Sequence, residues 1–188
     1  ESVEDAEQRT RMAATIEDIA RSLDDILSLA RVGRPGDPLE VTDLTALVAQ
    51  VVEEFEDMGE AVAYARAERI TLPLRPTWLR RALRNLVSNA LRHGGGTARV
   101  RLSRQAGSVT ISVEDDGPGI PDAEIARMLE PFTRGEPSRN RGTGGAGLGL
   151  TLARAIAEQH GGSLVLANRP AHGDTAAGLT AALTLPLT

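Results

Sequence analysis

Apolar residues recur at Met12, Ile16, Ile19, Leu23, Ile26 and Ala30, in alternating steps of four and three, along a stretch (9–31) without glycine or proline. A seven-residue period keeps one narrow stripe against a neighbouring helix. The spacing predicts a helix over 9–31 that pairs in a bundle or coiled coil between chains; packing of the stripe on the chain's own globular part is the alternative. The seam fades before Met12, where Asp5 and Arg9 hold the in-register positions. Gly33, Pro35, Gly36 and Pro38 then stop the helix and make a linker. This predicts a helical segment over 1–32, a linker over 33–40 and a globular domain over 41–188.

Beyond the linker the pattern alternates between helical and strand periods. Leu44, Leu47, Val48, Val51, Val52 and Phe55 make one side of a helix capped by Thr42 or Asp43 and running to about Met58. Short strands are predicted over 61–66 and 69–74. A second helix opens at Pro76 or Thr77, carries Leu79, Leu83, Leu86, Val87 and Ala90, and ends before Gly94-Gly95-Gly96. Strands follow over 100–103 and 109–113, a short helix over 122–129, an irregular glycine-rich stretch over 130–149, a helix over 148–160, and closing strands over 163–167 and 179–185. Helices and strands interleave without a strict βαβ repeat. The expected fold class is therefore an α/β sandwich, a mixed sheet covered on one face by helices.

Composition narrows the chemistry. All 21 basic residues are arginine, which removes a P-loop lysine, a lysine–glutamate kinase pair and Schiff-base chemistry. Cysteine is absent, so thiolate nucleophiles and thiolate metal sites go as well. Four aromatic residues and a net charge of −5 argue against a nucleic-acid partner. No apolar run approaches membrane-spanning length and no signal peptide opens the chain, so cytoplasm is the expected compartment. The chain begins at Glu1, not Met, and reads as part of something longer.

Four clusters carry candidate chemistry. Asn85 and Asn89 stand one turn apart on the second helix, so both amides leave one face, and an amide oxygen is a hard ligand suited to Mg²⁺. Two solvated asparagines would look the same. Asp115-Asp116-Gly117-Pro118-Gly119-Ile120 sets a carboxylate at a strand end beside backbone bare of side chains, where a flat heterocycle could pack and donate to Asp115; an acidic turn is the plainer reading. Glu130-Pro131-Phe132-Thr133-Arg134 anchors a loop through a single Phe, and that loop has the makings of a lid. Gly142–Leu150 holds five glycines in its first eight residues and runs into a helix, offering unhindered N–H groups to phosphate, with Arg134, Arg139 and Arg141 close in sequence. A flexible linker has the same composition.

The order of the four resembles the N, G1, F and G2 boxes of the Bergerat-fold ATP-binding superfamily, which holds sensor histidine kinases, gyrase B, Hsp90 and MutL. The resemblance covers residues 41–188. Asn at position 85, where the superfamily's ATPases normally carry a base-forming Glu, is similar to the histidine kinases, and "EDDGPGI" with "EPFTRG" resembles the osmosensing EnvZ-like kinases. An amide cannot act as a general base near neutral pH. The heptad helix resembles the second helix of the kinase dimerisation domain.

The resemblance implies ATP and Mg²⁺ as cofactors. It implies Asn89 as the Mg²⁺ ligand, Asn85 assisting through phosphate or water, Arg92 beside the phosphates and His93 flanking the nucleotide. It implies Asp115 as the adenine-reading carboxylate, with Gly117, Gly119 and Ile120 at the ring. Arg134 is the F-box arginine, and Gly145, Ala146, Gly147, Leu148 and Gly149 form the G2 segment. It implies transfer of the γ-phosphoryl group to a histidine, then to an aspartate on a response-regulator receiver domain, by a homodimer paired through helix 9–31 whose sensor region, outside this chain, reaches the membrane. No H box is present among His93, His160 and His172, so the phosphoacceptor lies outside this chain and no residue in it is assigned a catalytic role. Two rivals stay open: a superfamily ATPase driving conformational change, which turnover would reveal, and a dimerising module that binds nucleotide only as a regulator.

Overall fold

The computed structural model describes residues 3–32, 38–65, 67–131, 147–170 and 178–187, and side chains within them except at 3–7 and 18. The long helix α1 spans Val3–Arg31, starting before the heptad seam begins. β1 (Glu40–Asp43) leads into α2 (Leu44–Asp57), whose N-cap is Asp43, its carboxylate accepting from Ala46 N–H at 3.0 Å. β2 (Ala61–Ala65) and β3 (Thr71–Leu74) follow, then α3 (Pro76–His93), with Pro76 opening its first turn. β4 (Thr97–Gln105) and β5 (Ser108–Glu114) form a hairpin. α4 is a single turn (Asp122–Ile125) continued by a 3-10 turn at Arg127–Leu129, where one helix over 122–129 was expected. α5 (Gly149–Gln159), β6 (Ser163–Arg169) and β7 (Gly178–Pro186) complete the chain order.

β2, β4, β5, β7 and β6 form one five-stranded sheet in that order. β2 and β4 run parallel and every other pairing in it is antiparallel, so the sheet is mixed as expected. β1 and β3 make a separate antiparallel pair that the hydrophobic pattern did not announce: Val41 is 79% exposed, and β1 shows no inward–outward alternation. Alternate residues of the sheet point to the helices: Val109, Ile111 and Val113 on β5 meet Leu179, Ala181, Leu183 and Leu185 on β7 in the core. Their other face carries Thr110, Ser112, Thr180 and Thr184, with the Thr110 and Thr184 hydroxyls 2.9 Å apart across the strands. Helices α2, α3 and α5 cover the apolar face with Leu47, Val51, Leu83, Leu86, Leu152 and Ile156 among their buried side chains.

α1 touches the rest of the fold with the side opposite its seam. Asp25 and Ser28 are buried there, while Met12, Ile16, Ile19, Leu23 and Ile26 stay exposed. The heptad stripe therefore does not pack on the chain's own globular part.

Candidate functional site

α3 is the spine of the site. Its length follows from an apolar side that meets both the sheet and α5, and its polar side brings the remaining candidates together. Asn85, half-buried at mid-helix, donates from Nδ2 to the Gly149 carbonyl at 3.3 Å, so the N-box helix is bonded to the first residue of α5. Asn89 lies one turn on and is half-buried too. Leu148, just before α5, is buried, anchoring the end of the glycine segment to the core, with Gly147 beside it.

The far end of α3 meets the Asp115 segment. Gly94 caps the helix, and its carbonyl accepts from Asp116 N–H at 3.2 Å. The approach is close enough that a Cβ on Gly94 would collide with Asp115 Cβ, and a Cβ on Gly117 would fall 2.7 Å from Gly94 Cα and 2.8 Å from the His93 carbonyl oxygen. Both glycines are needed for space. Of the three glycines after His93, Gly94 was expected only to end the helix; its contact with residue 115 has no local signature.

Asp115 is buried, 6% exposed, directly after β5. Its Oδ1 accepts from Gly117 N–H at 3.0 Å and from Leu179 N–H at 3.1 Å, and its own N–H donates to the Leu179 carbonyl at 3.0 Å. One carboxylate oxygen is thus spent on backbone, which orients the group and leaves Oδ2 for a donor from outside. The arrangement suits a neutral donor such as an exocyclic amine.

Beside it, Asp116 takes both terminal nitrogens of Arg99, at 2.7 and 2.5 Å, and Arg169 Nη1 at 3.0 Å. These hydrogen bonds, Arg99's first, hold its carboxyl far below the usual carboxylate range. Arg169 also donates to the Asp115 carbonyl at 2.8 Å. Arg99 and Arg169 escaped the sequence reading because they lie on β4 and β6, distant in the chain from the segment they hold.

His93 ends α3. Burial, then the neighbouring Arg92, pushes its imidazole below the ordinary value, while Asp115 opposes the shift. Arg92 is exposed in the last turn. Gly119 and Ile120 continue the Asp115 segment and are half-buried. Phe132, Arg134, Arg139, Arg141, Gly145, Ala146 and His172, together with most of the expected lid, lie outside the described residues. Among the described residues no group of three His, Cys, Asp or Glu side chains could by itself hold a metal, and no helix is long and apolar enough to cross a membrane.

The family profile described as histidine kinase-, DNA gyrase B- and HSP90-like ATPase matches residues 74–188. The probable sensor histidine kinase TcrY of Mycobacterium tuberculosis is 34% identical over 181 residues, covering 93% of this chain and 38% of that protein. The chain thus spans well under half the length of that relative. The crystal structure of full-length ShkA in complex with AMPPNP superposes with a TM-score of 0.72 at 27% identity, covering 96% of this chain and 39% of that one. The NMR structure of the histidine kinase domain of the Escherichia coli osmosensor EnvZ superposes with a TM-score of 0.57 at 30% identity, over 83% of this chain and 92% of that one.

Proposed function

Because the chain belongs to the family of histidine kinase-, DNA gyrase B- and HSP90-like ATPases, it is an ATP-binding protein, and we propose that it works as the catalytic portion of a two-component sensor histidine kinase. In this reading it passes the γ-phosphoryl group of ATP to a histidine outside these residues and onward to an aspartate of a response-regulator receiver domain. Asn85 supports a kinase over a hydrolase: an amide cannot deprotonate water, so the nucleophile must be brought by another domain. Phosphoryl transfer then needs mainly positioning and charge neutralisation.

The observation that carries the reading is the buried Asp115 carboxylate, with one oxygen fixed by two backbone N–H groups and with bare glycine backbone at its side. It is shaped to accept the adenine amino group. Gly117, Gly119 and Ile120 supply the flat wall against the ring, and His93 and Arg92 border the nucleotide at the end of α3. The triphosphate is assigned to the start of α5, where Gly147, Leu148 and Gly149 offer N–H groups; Gly145, Ala146 and Arg134, earlier in the sequence, are assigned to the same nucleotide.

The donor set fits a Mg²⁺ ion that arrives with the nucleotide. Asn89 contributes a single neutral oxygen, and a hard ion with that one protein ligand completes its shell from phosphates and water. Bound there, the ion would neutralise charge on the triphosphate. Asn85, its Nδ2 committed to Gly149, holds α5 in place behind the phosphates.

We assign residues 1–32 to the second helix of a dimerisation domain, 33–40 to a linker and 41–188 to the ATP-binding domain. The exposed seam from Met12 to Ala30 pairs with another helix in a homodimer, and the whole protein reaches the membrane through a sensor region outside this chain.

Asp115→Asn tests the pocket. The amide oxygen can keep both backbone bonds while Nδ2 faces the base, so the fold survives and a donor meets a donor. Losing a charge-assisted bond of roughly 1.5–3 kcal/mol weakens ADP about ten- to a hundredfold. Calorimetry showing unchanged ADP affinity in the folded variant would refute the assignment.

A further inference from the structure

The last two residues of β6 reach opposite flanks of the segment 115–122. Arg169 holds its start, through the Asp115 carbonyl and Asp116. Asn168 holds its end. Asn168 Oδ1 accepts from Ile120 N–H at 2.9 Å, its Nδ2 donates to the Ile120 carbonyl at 2.6 Å, and the same Nδ2 donates to Asp122 Oδ1 at 2.9 Å.

One side-chain amide thus offers an acceptor and a donor to the backbone of a single residue, as a neighbouring strand would. Only an amide does this: a carboxylate has no donor, and a hydroxyl cannot span both groups. The backbone is shaped to receive it. Gly119 sits at φ +73°, and a Cβ there would fall 2.7 Å from Asn168 Oδ1, so the turn that presents Ile120 leaves no room for a side chain in between. A solvated asparagine on an edge strand has no need of three bonds and a matched glycine.

The segment so held is the one whose bare backbone lies beside Asp115. With its start fixed by Arg169 and Gly94, the freedom left to it is at Gly119–Ile120, and Asn168 removes that freedom. We propose that Asn168 is a positioning residue for the nucleotide base, setting the Gly117–Ile120 backbone at the distance where a purine ring packs against it. The proposal rests on Asp115 reading the base, and Asn168 acts through its bonds to Ile120 and Asp122.

The test compares ADP with inorganic triphosphate, each with Mg²⁺, by calorimetry on the 188-residue chain carrying Asn168→Ala or Asn168→Asp. Asn168→Ala should weaken ADP roughly three- to tenfold, the equivalent of about one net hydrogen bond of preorganisation, and leave triphosphate unchanged. Asn168→Asp keeps the acceptor for Ile120 N–H but sets a carboxylate against the Ile120 carbonyl and Asp122, so it should weaken ADP at least as much. Hydrogen exchange at the Ile120 amide should rise in the alanine variant. If one variant fails to fold, the other carries the test. ADP affinity within twofold of the parent, or equal losses for both ligands, overturns the positioning role. Asp115→Asn run alongside separates the two levels: if it alone loses ADP, only the role of Asn168 falls; if it too binds normally, the base pocket falls and the proposal with it.

Discussion

Arg81 Nη2 donates to Asp24 Oδ2 at 2.5 Å and to Asp25 Oδ1 at 3.2 Å, fastening α1 to the helix that carries Asn85 and Asn89. Asp25 is buried and Arg81 largely so. Burial pushes the Asp25 carboxyl up, and Arg81 opposes that shift. Arg81→Ala strands this carboxyl without its cation. The pair is not fully buried, so the expected loss is about 1–2 kcal/mol, below the range for sealed pairs. Hydrogen exchange should accelerate in α1 around Asp25 and Ser28, while ADP affinity stays within twofold, because the Asp115 segment is held by other residues. Unchanged exchange in α1 would show that the ion pair does not hold the helix.

The two N-box asparagines should separate by metal dependence. Asn89→Ala is expected to abolish the gain in ATP affinity that Mg²⁺ provides and to leave metal-free binding nearly intact. Asn85→Ala removes the bond to the Gly149 carbonyl, so it should weaken ATP with and without the ion alike. Titrations in Mg²⁺ and in EDTA distinguish the patterns, and a larger metal-dependent loss from Asn85→Ala would reverse the assignment.

Stability should fall on mild acidification. His160 Nε2 accepts from Arg75 N–H at 3.0 Å while Nδ1 donates to the Ile156 carbonyl at 2.8 Å, so the neutral ring joins the end of α5 to the start of α3. Burial, and then the Arg75 charge, lowers its affinity for a proton below the ordinary value of 6.5, against the bond to Ile156, which raises it. The unfolded chain therefore takes up the proton first. The contribution is complete above pH 6.5 and is lost as pH falls through the lower folded value. His93 is shifted the same way, by burial and Arg92, but it is exposed at the end of α3, so solvent screens its share of the slope. Urea unfolding between pH 5 and 8 should show the decline. His160→Ala should cost about 1 kcal/mol at neutral pH and flatten it in part; an unaltered slope would exclude His160 as a source.

The chain by itself should bind Mg-ATP without labelling itself. Both His160 nitrogens are engaged, Nε2 by Arg75 at the α3 start and Nδ1 by Ile156 in α5, away from Asn85 and Asn89. The His93 backbone packs on Gly117, beside the Asp115 segment. His172 lies outside the described residues. Incubation with γ-labelled ATP, followed by acid and base treatment, checks this. An acid-labile, base-stable label on the chain would establish an acceptor among its own histidines.

What was legible in the sequence was whatever has a local period or a local stop. The stripes of α2, α3 and α5 follow a helical repeat, and the prolines and glycines around them mark their ends. β1 was illegible because four residues with an exposed Val41 have no period; only pairing with β3 makes them a strand. α1 was legible as a helix, and its docking side was not, since Asp25 and Ser28 read as polar surface until Arg81 is seen opposite. The same holds around Asp115. The acid-glycine pattern marks the segment, but Gly94, Arg99, Asn168 and Arg169, which shape it, come from three other elements, and nothing in their own neighbourhoods points to residue 115.

Sheet order also sets a timetable. β7, last of the strands in chain order, lies inside the sheet between β5 and β6, and its Gly178 passes so close to the Asp115 carbonyl that a Cβ there would collide with it. Leu179 supplies an N–H that orients the Asp115 carboxylate. Until residues 178–186 have left the ribosome, the core lacks an interior strand and the carboxylate lacks a partner that aims it. Such late, long-range pairing makes for slow folding, and a nascent chain halted before Gly178 lacks the N–H that aims Asp115.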